Sequence, residues 1–60
     1  MDPNATLREI SLDLADGDLD QAYDRCHDLH YWLRHGGFAP DWGQFPAATR
    51  YYHLVIGRMV

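Results

Sequence analysis

The side chains best suited to chemistry lie in the middle of the chain, where Cys26 and His30 stand four residues apart. A thiolate and an imidazole at that spacing on a helix are able to begin a zinc site or a nucleophilic pair. No second cysteine follows, and both residues fall on an apolar helical stripe. We therefore expect a small core thiol and a buried, hydrogen-bonded histidine, with no metal, no cofactor and no catalytic residue.

A second group of residues combines aromatic and acidic side chains. Trp32 lies near the end of the same segment, and Phe38 and Trp42 follow a double glycine. Large aromatic side chains are enriched at the anchors of protein interfaces, and exposed acids beside them would attract a basic partner. The sequence predicts a partner-binding surface that is formed by Asp24, Asp28, Trp32, Phe38 and Trp42.

A proline-rich and aromatic-rich loop follows the double glycine. Pro40 and Pro46 prevent regular structure between residues 39 and 46. The large apolar side chains of Trp42 and Phe45 have two explanations: they close the open end of a small core, or they form a docking patch. Closure of the core is the more common reason for such residues in a loop.

Two helices position the candidate residues. Asp18 and Gln21 have the spacing of a helix start, and Gly36 and Gly37 that of a helix end, so residues 19–35 are expected to be helical. The apolar stripe of this helix follows steps of three and four: Leu19, Ala22, Tyr23, Cys26, Leu29, His30 and Leu33. Residues 3–16 form a second predicted helix. The short connection predicts an antiparallel two-helix hairpin.

The helix over residues 3–16 has its own start and stop signals. Asp2 before Pro3 is a capping acid before a proline at the first helical position, and Asn4 is a rival cap. Gly17 ends the helix. The stripe contains Leu7, Ile10 and Leu14, whereas the polar side is expected to contain Arg8, Glu9, Asp13 and Asp16.

The last stretch, from Ala47 to Val60, is ambiguous. Tyr51 to Ile56 are rich in strand-favouring residues, but no second strand is available for pairing. A short third helix over residues 46–57 is the preferred reading, with an inner face that contains Ala48, Tyr51, Tyr52, Val55 and Met59. Leu54 and Ile56 fall off that face. Together with Leu12 they indicate apolar surface that a second copy of the chain would cover.

The charge is distributed unevenly along the chain. The net charge is −4; residues 1–28 carry eight acids and two arginines, and residues 29–60 carry one acid and three arginines. A nucleic-acid-binding protein normally presents a basic face, which argues against nucleic acid as a partner. The acid excess either supports solubility or forms a negative surface for a basic protein.

Length and cysteine content bound the class of protein. Sixty residues fit one small helical domain, 1–60, and one cysteine excludes an internal disulfide. No apolar run approaches the roughly 20 residues of a membrane span. We expect no membrane association, a cytoplasmic setting, and support for this small core from a homo-oligomer, most simply a dimer.

Two segments carry a resemblance to a known group. M-D-P-N-A-T-L at residues 1–7 and W-L-R-H-G-G-F-A-P-D-W at residues 32–42 resemble segments of small orphan proteins of actinobacteriophages, such as mycobacteriophages. The resemblance covers about residues 1–42, and the continuation to Val60 departs from the pattern. It implies a phage accessory protein that acts in the host cytoplasm, and it implies no particular chemistry.

These observations lead to three functional expectations. The first is a non-enzymatic accessory protein that binds and modulates a host protein through the aromatic and acidic surface. The alternative is a structural or assembly protein in which Leu12, Leu54 and Ile56 are buried between copies. The third is acidic nucleic-acid mimicry, in which a DNA-binding protein is the partner and high salt abolishes the complex.

Overall fold

The structure, a computed structural model, describes the backbone of residues 1–59 and the side chains of residues 1–58. It contains α1 (Pro3–Ala15), α2 (Leu19–Arg34) and α3 (Pro46–Met59), and the described residues contain no strand. The expected all-α class is confirmed. The strand reading of the last stretch is wrong, and α3 extends two residues beyond the predicted end at 57.

The start of α1 is fixed by Asp2. Its Oδ1 atom accepts hydrogen bonds from the backbone N–H of Asn4 at 3.0 Å and of Ala5 at 3.3 Å. Pro3 is the first helical residue, where its missing N–H costs no helical hydrogen bond. Asn4 is therefore not the cap; its side-chain oxygen accepts from the N–H of Asp41 at 2.7 Å and ties the loop to α1.

Glycines with positive φ end the first two helices. Gly17 has φ 74°, and the N–H of Asp18 donates to the carbonyl of Asp13 at 2.8 Å; Gly36 has φ 88° at the end of α2. Each helix ends one residue earlier than predicted, because Asp16 and His35 are capping residues rather than helical ones. At the start of α2, Asp18 Oδ1 accepts from the N–H of Gln21 at 3.2 Å.

The core lies where the three helices meet. Its buried side chains come from all of them: Leu7, Ile10, Ala22, Cys26, Leu29, Ala48, Tyr52 and Val55. The accessible surface of 3934 Å² is close to the roughly 4,000 Å² expected for a compact monomer of 7.0 kDa. The three helices therefore bury this core between them.

Several side chains at the edges of the predicted stripes lie elsewhere. Leu19 and Tyr23 are 55% and 46% exposed, because the neighbouring helices cover only the centre of the α2 stripe. Ile56 is partly buried and packs against the core, contrary to its predicted outward position. Leu12 and Leu54 are exposed, as expected. The side chain of Met59 lies outside the described residues.

An ion pair joins α1 to α2, and the two helices pack closely. Arg25 Nε donates to Asp13 Oδ2 at 2.7 Å, and its Nη2 atom lies 3.9 Å from Glu9 Oε2. Asp13 is therefore buried rather than on the wet side of α1, because the guanidinium of Arg25 covers it. This pair compensates a carboxylate that would be costly to bury alone.

The loop between α2 and α3 is held against the core. Trp42 and Phe45 are partly buried and pack on the core residues, so their predicted role in closing the open end is confirmed. Thr49 Oγ1 donates to the carbonyl of Trp42 at 2.6 Å. Pro40 is buried, and Asp41 Oδ1 accepts from the N–H of Gly43 at 3.2 Å to form a tight turn.

Candidate protein-interaction surface

One side of α2 carries acids and an aromatic residue in a row. Asp24, Asp28 and Trp32 are spaced by four residues within the helix, which places them one above another on its surface. Asp24 and Asp28 are exposed. Among the described residues, the ion pairs found involve Arg25 with Asp13 and Glu9, so these two carboxylates have no protein cation against them.

The row on α2 extends beyond the end of the helix, because Trp32 contacts Phe38 in the segment that follows. The two rings meet edge to face with centroids 5.7 Å apart, and Trp32 Nε1 donates to the carbonyl of Phe38 at 3.0 Å. Trp32 is partly buried against the core, whereas Phe38 is 63% exposed. The structure thus packs one edge of an exposed ring against Trp32. We name Asp24, Asp28, Trp32 and Phe38 the acidic–aromatic face.

The turn after α2 is shaped by the indole ring of Trp32. A Cβ atom on Gly37 would overlap that ring, and the N–H of Gly37 donates to the carbonyl of Trp32 at 2.9 Å. Gly36 has open space around it, and only its positive φ requires glycine. Sequence reasoning assigned both glycines to helix termination and missed that Gly37 leaves space for the Trp32 ring. The only signal in the sequence for this second role is a glycine five residues after a tryptophan.

Trp42 belongs to a different aromatic group from Trp32 and Phe38. Its ring lies 5.1 Å from that of Tyr52 and 5.2 Å from that of His53, both on α3. Because Trp42 also packs against the core, truncating it would disturb the fold as well as any interface. The structure therefore brings four of the five predicted partner-binding residues to α2 and the turn that follows, and places Trp42 against α3.

A further aromatic pair lies beside the acidic row. The rings of Tyr31 and His35 stack with centroids 3.8 Å apart, and Tyr31 is 66% exposed. His35 Nδ1 lies 2.8 Å from the carbonyl of Tyr31; since a carbonyl only accepts, this nitrogen carries the proton. Sequence reasoning did not select this pair, although an aromatic residue four positions before a histidine at a helix end was visible.

Cys26 and His30, which were considered for metal or nucleophilic chemistry, lie in different environments. Cys26 is fully buried in the core, and burial raises the pKa of its thiol to about 11. A thiol protonated at neutral pH is a weak nucleophile and metal ligand. His30 is half-buried rather than buried, since it lies at the edge of the stripe. Among the described residues, no group of three histidine, cysteine or acidic side chains has a geometry that could hold a metal.

In the part of the chain that the structure describes, no helix is both long enough and apolar enough to span a bilayer.

Comparison with known proteins gives no relative from which a function could be carried over: no protein-family model, no curated protein and no solved structure matches the chain. The candidate surface is therefore inferred from the geometry and charge of this chain alone.

Proposed function

We propose that the chain is a non-enzymatic binding protein that modulates a partner protein through the acidic–aromatic face. The resemblance to actinobacteriophage proteins supports a host protein as the partner and the host cytoplasm as the setting. The proposal takes α1 and α2 as an antiparallel hairpin, which the three-residue connection and the bridge from Arg25 to Asp13 and Glu9 support. In this arrangement α1 serves as the rigid support of the exposed side of α2.

The observation that carries the proposal is the exposed ring of Phe38, which packs against Trp32. A ring that is 63% exposed gains free energy by entering an apolar pocket, and a ring already oriented by Trp32 loses little conformational entropy when it does so. Anchors of this kind account for most of the binding energy in many interfaces.

The acids define the chemistry of the partner. Asp24 and Asp28 lie on the same helical row as Trp32, and no cationic side chain within residues 1–58 forms an ion pair with them. A partner that places lysine or arginine side chains beside an apolar pocket complements both features. Such charges would increase the rate of encounter and make binding depend on salt concentration. The same charges would disfavour nucleic acid, whose phosphates they repel.

The test is affinity capture from an actinobacterial lysate with the wild-type chain and two variants in parallel. Phe38→Ala removes the anchor, and Asp24→Asn/Asp28→Asn removes two charges with little change of shape. We expect at least one protein that the wild type retains and that both variants lose. Trp42→Ala is unsuitable as the main probe, because Trp42 packs against the core.

Matched controls separate the surface from general effects. Leu12→Ala truncates an exposed apolar residue that lies on α1, and Asp16→Asn/Asp41→Asn removes the same charge from other exposed positions. Both controls should retain the captured protein. Equal retention by all variants, or recovery of the chain's own copies alone, would contradict the proposed function.

A further inference from the structure

The groove between α2 and α3 forms a cleft of about 300 Å³. This volume lies at the lower end of the range for small-molecule pockets, which are mostly apolar and contain a few well-placed polar groups. The cleft has this composition, because four apolar or aromatic side chains and one guanidinium line it: Tyr23, Tyr51, Leu54, Val55 and Arg58. Its size and its lining both suit a small ligand.

The spacing of residues on α3 explains most of this lining. Tyr51, Leu54, Val55 and Arg58 follow steps of three and four, which places them on one side of the helix. Val55 belongs to the core, whereas Leu54 is 53% exposed. Tyr23, which lines the cleft from α2, is 46% exposed. An aliphatic side chain and an aromatic ring are therefore open to a ligand in the cleft.

Arg58 supplies the charge of the cleft. It lies in the last turn of α3, and its side chain is exposed. No acidic side chain is among the lining residues, and no carboxylate within residues 1–58 forms an ion pair with Arg58. A guanidinium is a rigid fork of N–H donors that matches the two oxygens of a carboxylate. The cleft thus combines an apolar surface with one carboxylate-binding group.

We propose that the α2–α3 cleft binds a small aromatic carboxylate, whose ring contacts Tyr23 and Leu54 and whose carboxylate pairs with Arg58. An aromatic ring is the favoured apolar group because paired aromatic rings gain free energy beyond the burial of their surface. One carboxylate is expected, since Arg58 is the one cationic side chain among the described lining residues. None of these residues belongs to the acidic–aromatic face, so the proposal goes beyond the proposed function.

The test is a titration followed in ¹H–¹⁵N spectra, with 3-phenylpropionate as the probe and its neutral amide as the matched probe. Both are added up to about 20 mM, because a small ligand on partly exposed side chains binds with millimolar affinity. We expect the largest shifts at the cleft residues. The carboxylate should bind about two- to fivefold more tightly than the amide, the ratio that an exposed ion pair contributes.

Paired variants separate the charge from the apolar contact. Arg58→Gln should abolish the preference for the carboxylate, whereas Arg50→Gln, which removes the same charge from an exposed position earlier on α3, should keep it. Leu54→Asn should weaken the binding of both probes, and Leu12→Asn, the same change at an exposed position of α1, should weaken neither. Far-UV circular dichroism should show the same helix content for all variants.

A second copy of the chain is the competing occupant of the cleft. Spectra without a probe at about 50 µM and about 1 mM chain identify it, since self-association depends on concentration. Cleft resonances that move between these spectra would assign the cleft to self-association and overturn the proposal. So would the absence of cleft shifts at the highest probe concentration, equal affinities of the wild type for both probes, or equal effects within either pair of variants. None of these results depends on the acidic–aromatic face, so the proposed function is tested separately.

Discussion

The turn after α2 gives the sharpest test of how this chain orients its exposed aromatic ring. Gly37→Ala adds one methyl group that would overlap the Trp32 indole ring. The ring has to move, so two interactions are lost: the Nε1–H hydrogen bond to the Phe38 carbonyl and the edge-to-face contact with the Phe38 ring. Each contributes about 0.5–1.5 kcal/mol, which gives a total loss of about 1–3 kcal/mol.

The neighbouring glycine provides the matched control. Gly36 has φ 88° with open space around it, so Gly36→Ala costs about 1–2 kcal/mol through backbone strain alone. The two variants therefore lose similar stability for different reasons. Only Gly37→Ala should displace Trp32 and release Phe38.

Urea denaturation measures the stability of both variants, and the indole N–H resonances in a ¹H–¹⁵N spectrum report the position of each tryptophan. We expect Gly37→Ala to shift the Trp32 resonance and to accelerate its hydrogen exchange, with the Trp42 resonance unchanged. Gly36→Ala should leave both resonances in place. A Gly37→Ala variant with an unperturbed Trp32 resonance and wild-type stability would refute the assigned role of Gly37.

Two further predictions concern the core. Asp13→Ala leaves Arg25 without its 2.7 Å partner; a fully buried pair would cost about 3–5 kcal/mol, but the Arg25 side chain is 30% exposed, so we expect a loss of about 1–2 kcal/mol. Glu9→Ala removes a 3.9 Å contact and should cost less than about 1 kcal/mol; equal losses in urea denaturation would be inconsistent with this assignment. Burial raises the pKa of Cys26 from 9.0 to about 11, so between these values the folded state binds more protons than the unfolded state. The free energy of unfolding should therefore fall as pH rises from 9 to 11, by at most about 3 kcal/mol. Thermal melts over this range should show a smaller decrease for Cys26→Ala; an unchanged slope would contradict it.

The helices were predictable because their signals are local. Asp2 and Asp18 cap the two starts, and Gly17 and Gly36 adopt the left-handed backbone that ends each helix. The predicted ends of α1 and α2 differ from the observed ones by a single residue, since a capping residue shares part of the helical hydrogen bonding. The preference for a helix over a strand in α3 also proved right, because the chain offered no pairing partner.

Burial was less predictable. The helical period shows which face of a helix is buried, but it does not show how much of that face the neighbouring helices cover. Leu19 and Tyr23 lie near the edge of the α2 stripe and remain exposed. Asp13 is buried because Arg25, twelve residues away, covers it. Pairings between distant residues are set by how the helices cross, which the sequence pattern does not contain.

The candidate surface was also predictable only in part. Asp24, Asp28 and Trp32 could be grouped from their spacing, and Phe38 from its position after a helix cap. The hydrogen bond from Tyr51 Oη to the carbonyl of Leu19 could not be predicted, because 32 residues separate the two along the chain. The overlap between a methyl group at Gly37 and the Trp32 ring likewise could not be predicted, because it depends on the orientation of that ring.

The most direct test of the proposed function is the affinity of the captured protein, once purified, for four chains: the wild type, Phe38→Ala, Asp24→Asn/Asp28→Asn and the control Leu12→Ala. Isothermal titration at two salt concentrations gives each dissociation constant. We expect Phe38→Ala and the double variant to bind at least about tenfold more weakly, equivalent to about 1.4 kcal/mol or more. Leu12→Ala should bind as the wild type does, and added salt should weaken the wild type but affect the double variant less. Equal affinities for all four chains would contradict the acidic–aromatic face as the binding surface.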